Sequence, residues 1–282
     1  MPNSKLRIVR DFHTDFDTMV ADPVFVSTMD VVNLQDQSRG LVARTTSTAT
    51  QIIKGDFSTY RRIGAFALNR HNLTIDSTIQ IELFDDPAQS GSLEYDSGEF
   101  LAVETKTLGE LDWGVDVLGA NIFTDWGYAL TIHFFTEAIC QSYRITIKDA
   151  ANPDGYFEAS RMILGPYIEP TKNLDFGYVG GWSGGTTQIR TAGGSLISLE
   201  PVGGPFRQLS FSISNLPVSE RAVFYDLGRH PGLKDDMLIS LFPDKTLSAR
   251  RDYAMFCKLT SYPGMSEQFL AAYNTQLQMQ ES

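Results

Sequence analysis

Between Ser142 and Pro170 two apolar runs are joined by Asn152-Pro153-Asp154-Gly155, and this arrangement restricts the fold more than any other stretch of the chain. Tyr143, Ile145 and Ile147 alternate with Arg144, Thr146 and Lys148, which puts the apolar set on one face of a strand. After the turn, Tyr156, Phe157, Met162, Ile163 and Leu164 resume the apolar run. Pro153 fixes one φ, Asp154 can bond its own backbone and Gly155 accepts φ > 0, so the segment predicts a tight corner at the edge of a β-sandwich.

The same period of two recurs upstream. Ile63, Ala65 and Ala67 lead into Asn69-Arg70-His71-Asn72, after which Ile75, Ile79, Ile81 and Leu83 are interleaved with Asp76, Thr78, Gln80 and Glu82. Leu130, Ile132 and Phe134 alternate with Thr131, His133 and Phe135. Residues 23–34 and 39–57 are rich in Val, Ile, Thr and Ser, which favours strands. Roughly seven or eight strands with hardly a helical period predict a mainly β protein, with a jelly-roll sandwich over residues 23–170. Residues 1–22 mix charges and aromatics without a period and are expected to form an arm that orders against a neighbour.

Past Pro170 the pattern changes. Leu209, Phe211 and Ile213 mark a further strand, and Val218, Ala222, Val223, Phe224 and Leu227 then fit one helical face. Pro217 suits the first turn of that helix and Pro231-Gly232 stops it. Strands are expected again at 237–242, at 253–259 and in the last fifteen residues. Residues 171–282 therefore read as a smaller α+β domain with one clear helix.

Charge narrows the functional classes. With 34 acidic against 23 basic residues the chain carries a formal charge of −11, which opposes nucleic acid and anionic membrane surfaces as partners. No window approaches the ~18 apolar residues of a membrane span, and residues 1–16 lack the apolar core of a signal peptide, so synthesis in the cytoplasm is expected. Cys140 and Cys257 read as small buried hydrophobes and form no disulfide framework.

Catalytic constellations are not legible. His13, His71, His133 and His230 are scattered without zinc-ligand spacing, and His133 reads as a partnered structural histidine on its strand. The glycine-rich run from Gly177 to Gly185 is followed by neither a helix nor a Lys-Ser or Lys-Thr pair, so it predicts a linker or an adaptable contact loop. No enzyme activity and no cofactor are expected. Asp149, Asn152 and Asp154 offer hard oxygen ligands for calcium in the turn, although the spacing of an EF-hand is absent. The better candidates are loop aromatics: Trp113, Trp126, Trp182 and Tyr178 could stack on sugar rings or anchor a partner, against the plain alternative that they cap the core.

Two stretches, Ile63–Asp86 and Ser142–Pro166, resemble segments of a family of long-tailed bacteriophage tail-tip or baseplate proteins. Asn69-Arg70-His71-Asn72-Leu73 stands where that family has Asn-His-Asn-Leu, and Tyr143-Arg144-Ile145 stands where it has Tyr-Trp-Arg-Ile. Arg190-Thr191-Ala192-Gly193-Gly194 and the strand-helix-strand order after Phe206 are also similar. The resemblance implies a galactose-binding-like, discoidin-type jelly roll followed by a smaller domain, in a non-enzymatic structural component of the virion tail. It implies other tail proteins as partners and a homo-oligomeric ring. A carbohydrate-binding module that recognises host-surface glycan through its aromatic loops is the alternative.

Overall fold

In the computed structural model, residues 5–126, 128–199 and 204–282 are described. The chain is mainly β and divides into two compact units, Met1–Glu169 with Leu238–Met255, and Pro170–Met237 with Phe256–Ser282.

The first unit is organised by two long antiparallel strands, β4 (Gln51–His71) and β8 (Ala129–Lys148). Before β4 come β1 (Arg7–Val9), β2 (Thr18–Asp22) and β3 (Ala43–Arg44). Between the long strands lie β5 (Thr78–Phe84), β6 (Leu93–Asp96) and β7 (Phe100–Leu101), and after β8 come β9 (Glu158–Ala159) and β10 (Arg161–Gly165). The pairing of β4 with β8 slips between Asp56 and Arg61 and again between Ile63 and Ala65. On either side of these bulges the ribbon has different neighbours. The half containing Gln51–Asp56 and Ser142–Ile147 is extended by β2 and β5, whereas the half containing Ala65–Asn69 and Leu130–Phe134 is extended by β10. Bulges bend a strand and increase its twist, which lets one ribbon serve both parts of a sandwich.

Burial follows from this bend. Gln51–Phe57 alternates inside and outside, but Ile63–Leu68 is buried on both faces. Tyr143, Ile145 and Ile147 are buried as the alternation requires, and β5 pairs with their strand from Thr78↔Lys148 to Phe84↔Ser142. The corner forms as its residues dictate, with Gly155 at φ 77° and its N–H donating to Asn152 O.

The described part of residues 1–22 is not a free arm. β1 pairs antiparallel with Leu238–Ser240, β2 pairs with β4, and Leu6, Ile8, Val9 and Phe12 are buried. These apolar residues are interrupted by Arg7, Arg10 and Asp11, which hides their common burial from a periodicity count. Residues 23–34 form no strand; a 3-10 turn spans Val31–Gln35, started by the Asp30 side chain on the Val31 N–H.

In the second unit β11 (Val179–Ser183) pairs with β14 (Phe206–Leu216), and β12 (Thr187–Arg190) pairs with β13 (Leu196–Leu199) as a separate hairpin. The predicted helix is α1 (Val218–Asp226). β15 (Met237–Ser240) and a second helix, α2 (Leu247–Tyr253), follow. β16 (Ala254–Leu259) brings the chain back into the second unit, and β17 (Gly264–Phe269) and β18 (Ala272–Glu281) complete it, with β18 between β14 and β17. Helix α2 was not expected, and two further features depart from the sequence expectation. The glycine-rich run contains a strand, because Gly180 and Gly181 fall in register with Leu209 and Gln208. Residues 238–255 belong to the first unit, since Leu238, Ile239 and Leu241 give it buried apolar side chains.

Candidate functional site

The first unit encloses a cavity of about 340 Å³ whose walls come from β7, the residues after it, β8 and α2. Strand alternation aims Thr131, His133 and Phe135 to one side of β8. There the His133 imidazole stacks on the Phe100 ring with centroids 4.4 Å apart and planes inclined by 14°. Tyr95 stacks on Phe135 at 4.1 Å, and its hydroxyl lies 3.0 Å from His133 Nε2. The result is a row of four rings tied by one polar contact. Burial pushes the His133 pKa down, helped by the nearby Arg250 charge, so the imidazole is held neutral. Burial raises the Tyr95 pKa, so its phenol stays protonated.

Glu104 and Arg250 form an ion pair of 3.0 Å at the rim, with side chains 27% and 33% exposed. Arg250 Nε also donates to Lys245 O at 3.0 Å, which orients the guanidinium. Arg251 donates to Ile122 O and lies over the Trp126 ring, 4.8 Å from its centroid. Trp126 in turn meets Phe123 edge to face at 6.3 Å. Beneath the floor, Leu73 N–H donates to His71 Nδ1, which leaves Nε2–H to donate to Thr131 Oγ1, and that hydroxyl donates to Ala102 O. His71 is buried, and burial lowers its pKa to about 3.

These groups set a stack of rings on one side and a carboxylate and guanidinium, each about one-third exposed, on the other. Such a pocket fits a small ligand with an apolar C–H face and hydroxyls along its edge, because rings take the former and planar charged groups the latter.

The residues singled out in the sequence are distributed unevenly. Trp126 stands behind the pocket wall through Arg251 and Phe123. Trp113 is 85% exposed on a loop that also exposes Val115, Val117 and Leu118. That loop is braced by the Lys106–Asp116 ion pair of 2.9 Å and is joined to α2 by a hydrogen bond from the Ser248 hydroxyl to Glu110. Trp182 and Tyr178 belong to the second unit, where Trp182 sits opposite Arg207 on β11 and is 58% exposed.

The Asp149, Asn152 and Asp154 group has protein partners. Asp149 accepts from Thr74 N at 2.9 Å, Thr74 Oγ1 at 2.6 Å and Asn152 Nδ2 at 2.9 Å, while Asp154 Oδ2 accepts from Asn72 Nδ2 at 2.8 Å. These bonds staple the corner to residues 72–74.

Phe100, Glu104, His133, Arg250 and Arg251 were not foreseen as a site. They come from three stretches far apart in sequence and share no local signal, since the Arg250-Arg251 pair has a counterpart at Arg61-Arg62.

No family model and no curated protein sequence matches the chain. Similarity is found among solved structures. The family 32 carbohydrate-binding module of C. perfringens NanJ, in complex with galactose, is similar over 57% of this chain and 99% of its own, at 10% identity and a TM-score of 0.38. Chitosan-binding module 1 from a chitosanase/glucanase of Paenibacillus sp. IK-5 covers 55% of this chain and 99% of its own, at 11% identity and 0.39. A histidine mutant of the lectin binding domain of Lectinolysin, complexed with Lewis b, gives 55% and 96%, at 11% and 0.37. The tail-tip resemblance is carried by the sequence motifs alone.

Proposed function

We propose that this protein is a non-enzymatic carbohydrate-binding protein that holds one sugar residue of a glycan in the first-unit pocket. The observation that carries this reading is the stacked His133–Phe100 floor beside the Glu104–Arg250 pair. A pyranose offers a C–H face to the rings and adjacent hydroxyls to the ion pair. The non-enzymatic part rests on the carboxylates. Among the described lining residues Glu104 is the one acid, and it is held by Arg250, whereas glycoside hydrolysis needs two carboxyl groups about 5 or about 6.5–9.5 Å apart. A glycan array probed with the protein and with Arg250→Ala tests the reading. Specific signal on the native protein, lost in the variant, is expected; a signal that the variant retains would refute it.

A structural role in a phage tail is the second reading, and the β12–β13 hairpin favours it. Thr187, Ile189, Ile197 and Leu199 share one face, and the three apolar members are 49–55% exposed. An isolated two-stranded hairpin is marginal in water, so an apolar face of this kind gains stability when a neighbouring subunit covers it. In this reading the protein is a multi-copy component of the virion tail that contacts itself and other tail proteins, while the first-unit pocket meets host glycan. Immunogold labelling of virions tests it: label at the distal tail is expected, and its absence there removes the reading.

A further inference from the structure

The second unit carries an open groove of about 620 Å³ on the face of β14, β18 and β17. Alternation along β14 brings Ser212 and Ser214 to this face, and alternation along β18 brings Asn274, Gln276 and Gln278. Register places Ser212 beside Gln276 and Ser266 beside Asn274, so hydroxyls and amides run across three adjacent strands. In a chain with 57 charged side chains, from 23 basic and 34 acidic, the groove has one among its described lining residues, Asp175, and that carboxylate already accepts from Ser214 Oγ at 2.6 Å. Two aromatic rings stand at the groove, Phe176 fully exposed and Tyr262 66% exposed.

We infer that this groove is a second binding site, separate from the first-unit pocket, and that it takes a neutral oligosaccharide. Its chemistry excludes the other common occupants. Nucleic acid and acidic polysaccharide need cationic partners, and none stands among the described lining residues of the groove. A protein interface has an apolar centre and a polar rim, whereas here Ser, Asn and Gln side chains make up most of the lining. Neutral sugar chains match both parts: Ser, Asn and Gln each donate and accept, as sugar hydroxyls do, and an exposed ring stacks on the C–H face of a pyranose. The inference does not depend on the first-unit pocket.

The test uses the full chain with Arg250→Ala, so that the first-unit pocket is disabled, and titrates cellohexaose, maltohexaose and chitohexaose by calorimetry and saturation-transfer NMR. At least one hexamer is expected to bind with a dissociation constant of about 1 mM or tighter, within the range these methods resolve. Phe176→Ala and Tyr262→Ala, both at exposed positions that leave folding intact, are each expected to weaken that binding about tenfold. Gln276→Glu is a second check, because a charge in the groove is expected to abolish binding without changing the melting temperature. Absence of binding by all three hexamers, or binding that the three substitutions leave unchanged, would overturn the inference.

Discussion

The His133 imidazole lies against the Phe100 ring at 4.4 Å, and its Nε2 meets the Tyr95 hydroxyl at 3.0 Å. One side chain therefore ties the ring floor of the pocket to the Tyr95 hydroxyl behind it. His133→Phe keeps the ring and deletes the nitrogen. The melting temperature is expected to stay within a few degrees and glycan affinity to fall about tenfold, the usual worth of one polar contact at such a site. Because burial and Arg250 lower the His133 pKa, the affinity of the native protein is expected to be flat from about pH 7 to 8. Titration calorimetry at several pH values reads both.

Gly55 is required by a close approach. A Cβ there would sit 2.5 Å from Asp17 Oδ2 and 2.5 Å from ring atoms of Tyr143, which is fully buried. Gly55→Ala is expected to destabilise the protein by about 1–3 kcal/mol, as overpacking does, measured by urea unfolding.

Two buried groups in the first unit impose opposite pH slopes. Burial pushes Asp17 up to about 7, against a hydrogen bond from Gln35 at 2.6 Å, so the folded state holds this proton where the unfolded chain has lost it. Asp17 thus contributes stability that fades as pH rises from about 4 to about 7. His71, lowered to about 3, works the other way: the unfolded chain binds the proton first, and stability is lost as pH falls below about 6.5. Asp17→Asn is expected to leave a profile that rises more steeply between about pH 4 and pH 6.5 than that of the native protein. His71→Asn is expected to leave one that rises less or falls. Denaturant titrations across that range decide.

Asp149 ties the corner to the strand entry at Thr74. Asp149→Ala strands the Thr74 N–H and the Asn152 amide, and a loss of about 2–4 kcal/mol is expected. The bonds are made by protein donors, so a chelator is expected to leave the melting temperature of the native protein unchanged.

The fold was largely legible because its period was local. The alternation at Tyr143–Lys148, at Thr78–Leu83 and around Phe211, and the helix at Val218–Asp226, each lie within one element, although Val218 is 51% exposed and of the helix only Phe224 is buried, so the expected apolar face does not pack as a whole. What was missed depends on tertiary neighbours. Residues 5–22 carry too few consecutive apolar positions to announce a strand, yet Ile8 is paired with Ile239 across more than two hundred residues of chain. Helix α2 was hidden because Leu247–Tyr253 is short, with arginines at 250 and 251 and little apolar period. The pocket was illegible for the same reason: Phe100, His133 and Arg250 have no shared motif, and only the bent β4–β8 ribbon with α2 gathers them. Tryptophan content pointed to Trp126, which supports the wall, and to Trp113, which lies on the adjoining loop.

Occupation of the His133–Phe100 floor by a sugar is read by NMR titration with the strongest glycan from the array. The ring signals of His133 and Phe100 are expected to shift in step with saturation while those of buried His71 stay fixed. Saturable binding that leaves both His133 and Phe100 unshifted would contradict it.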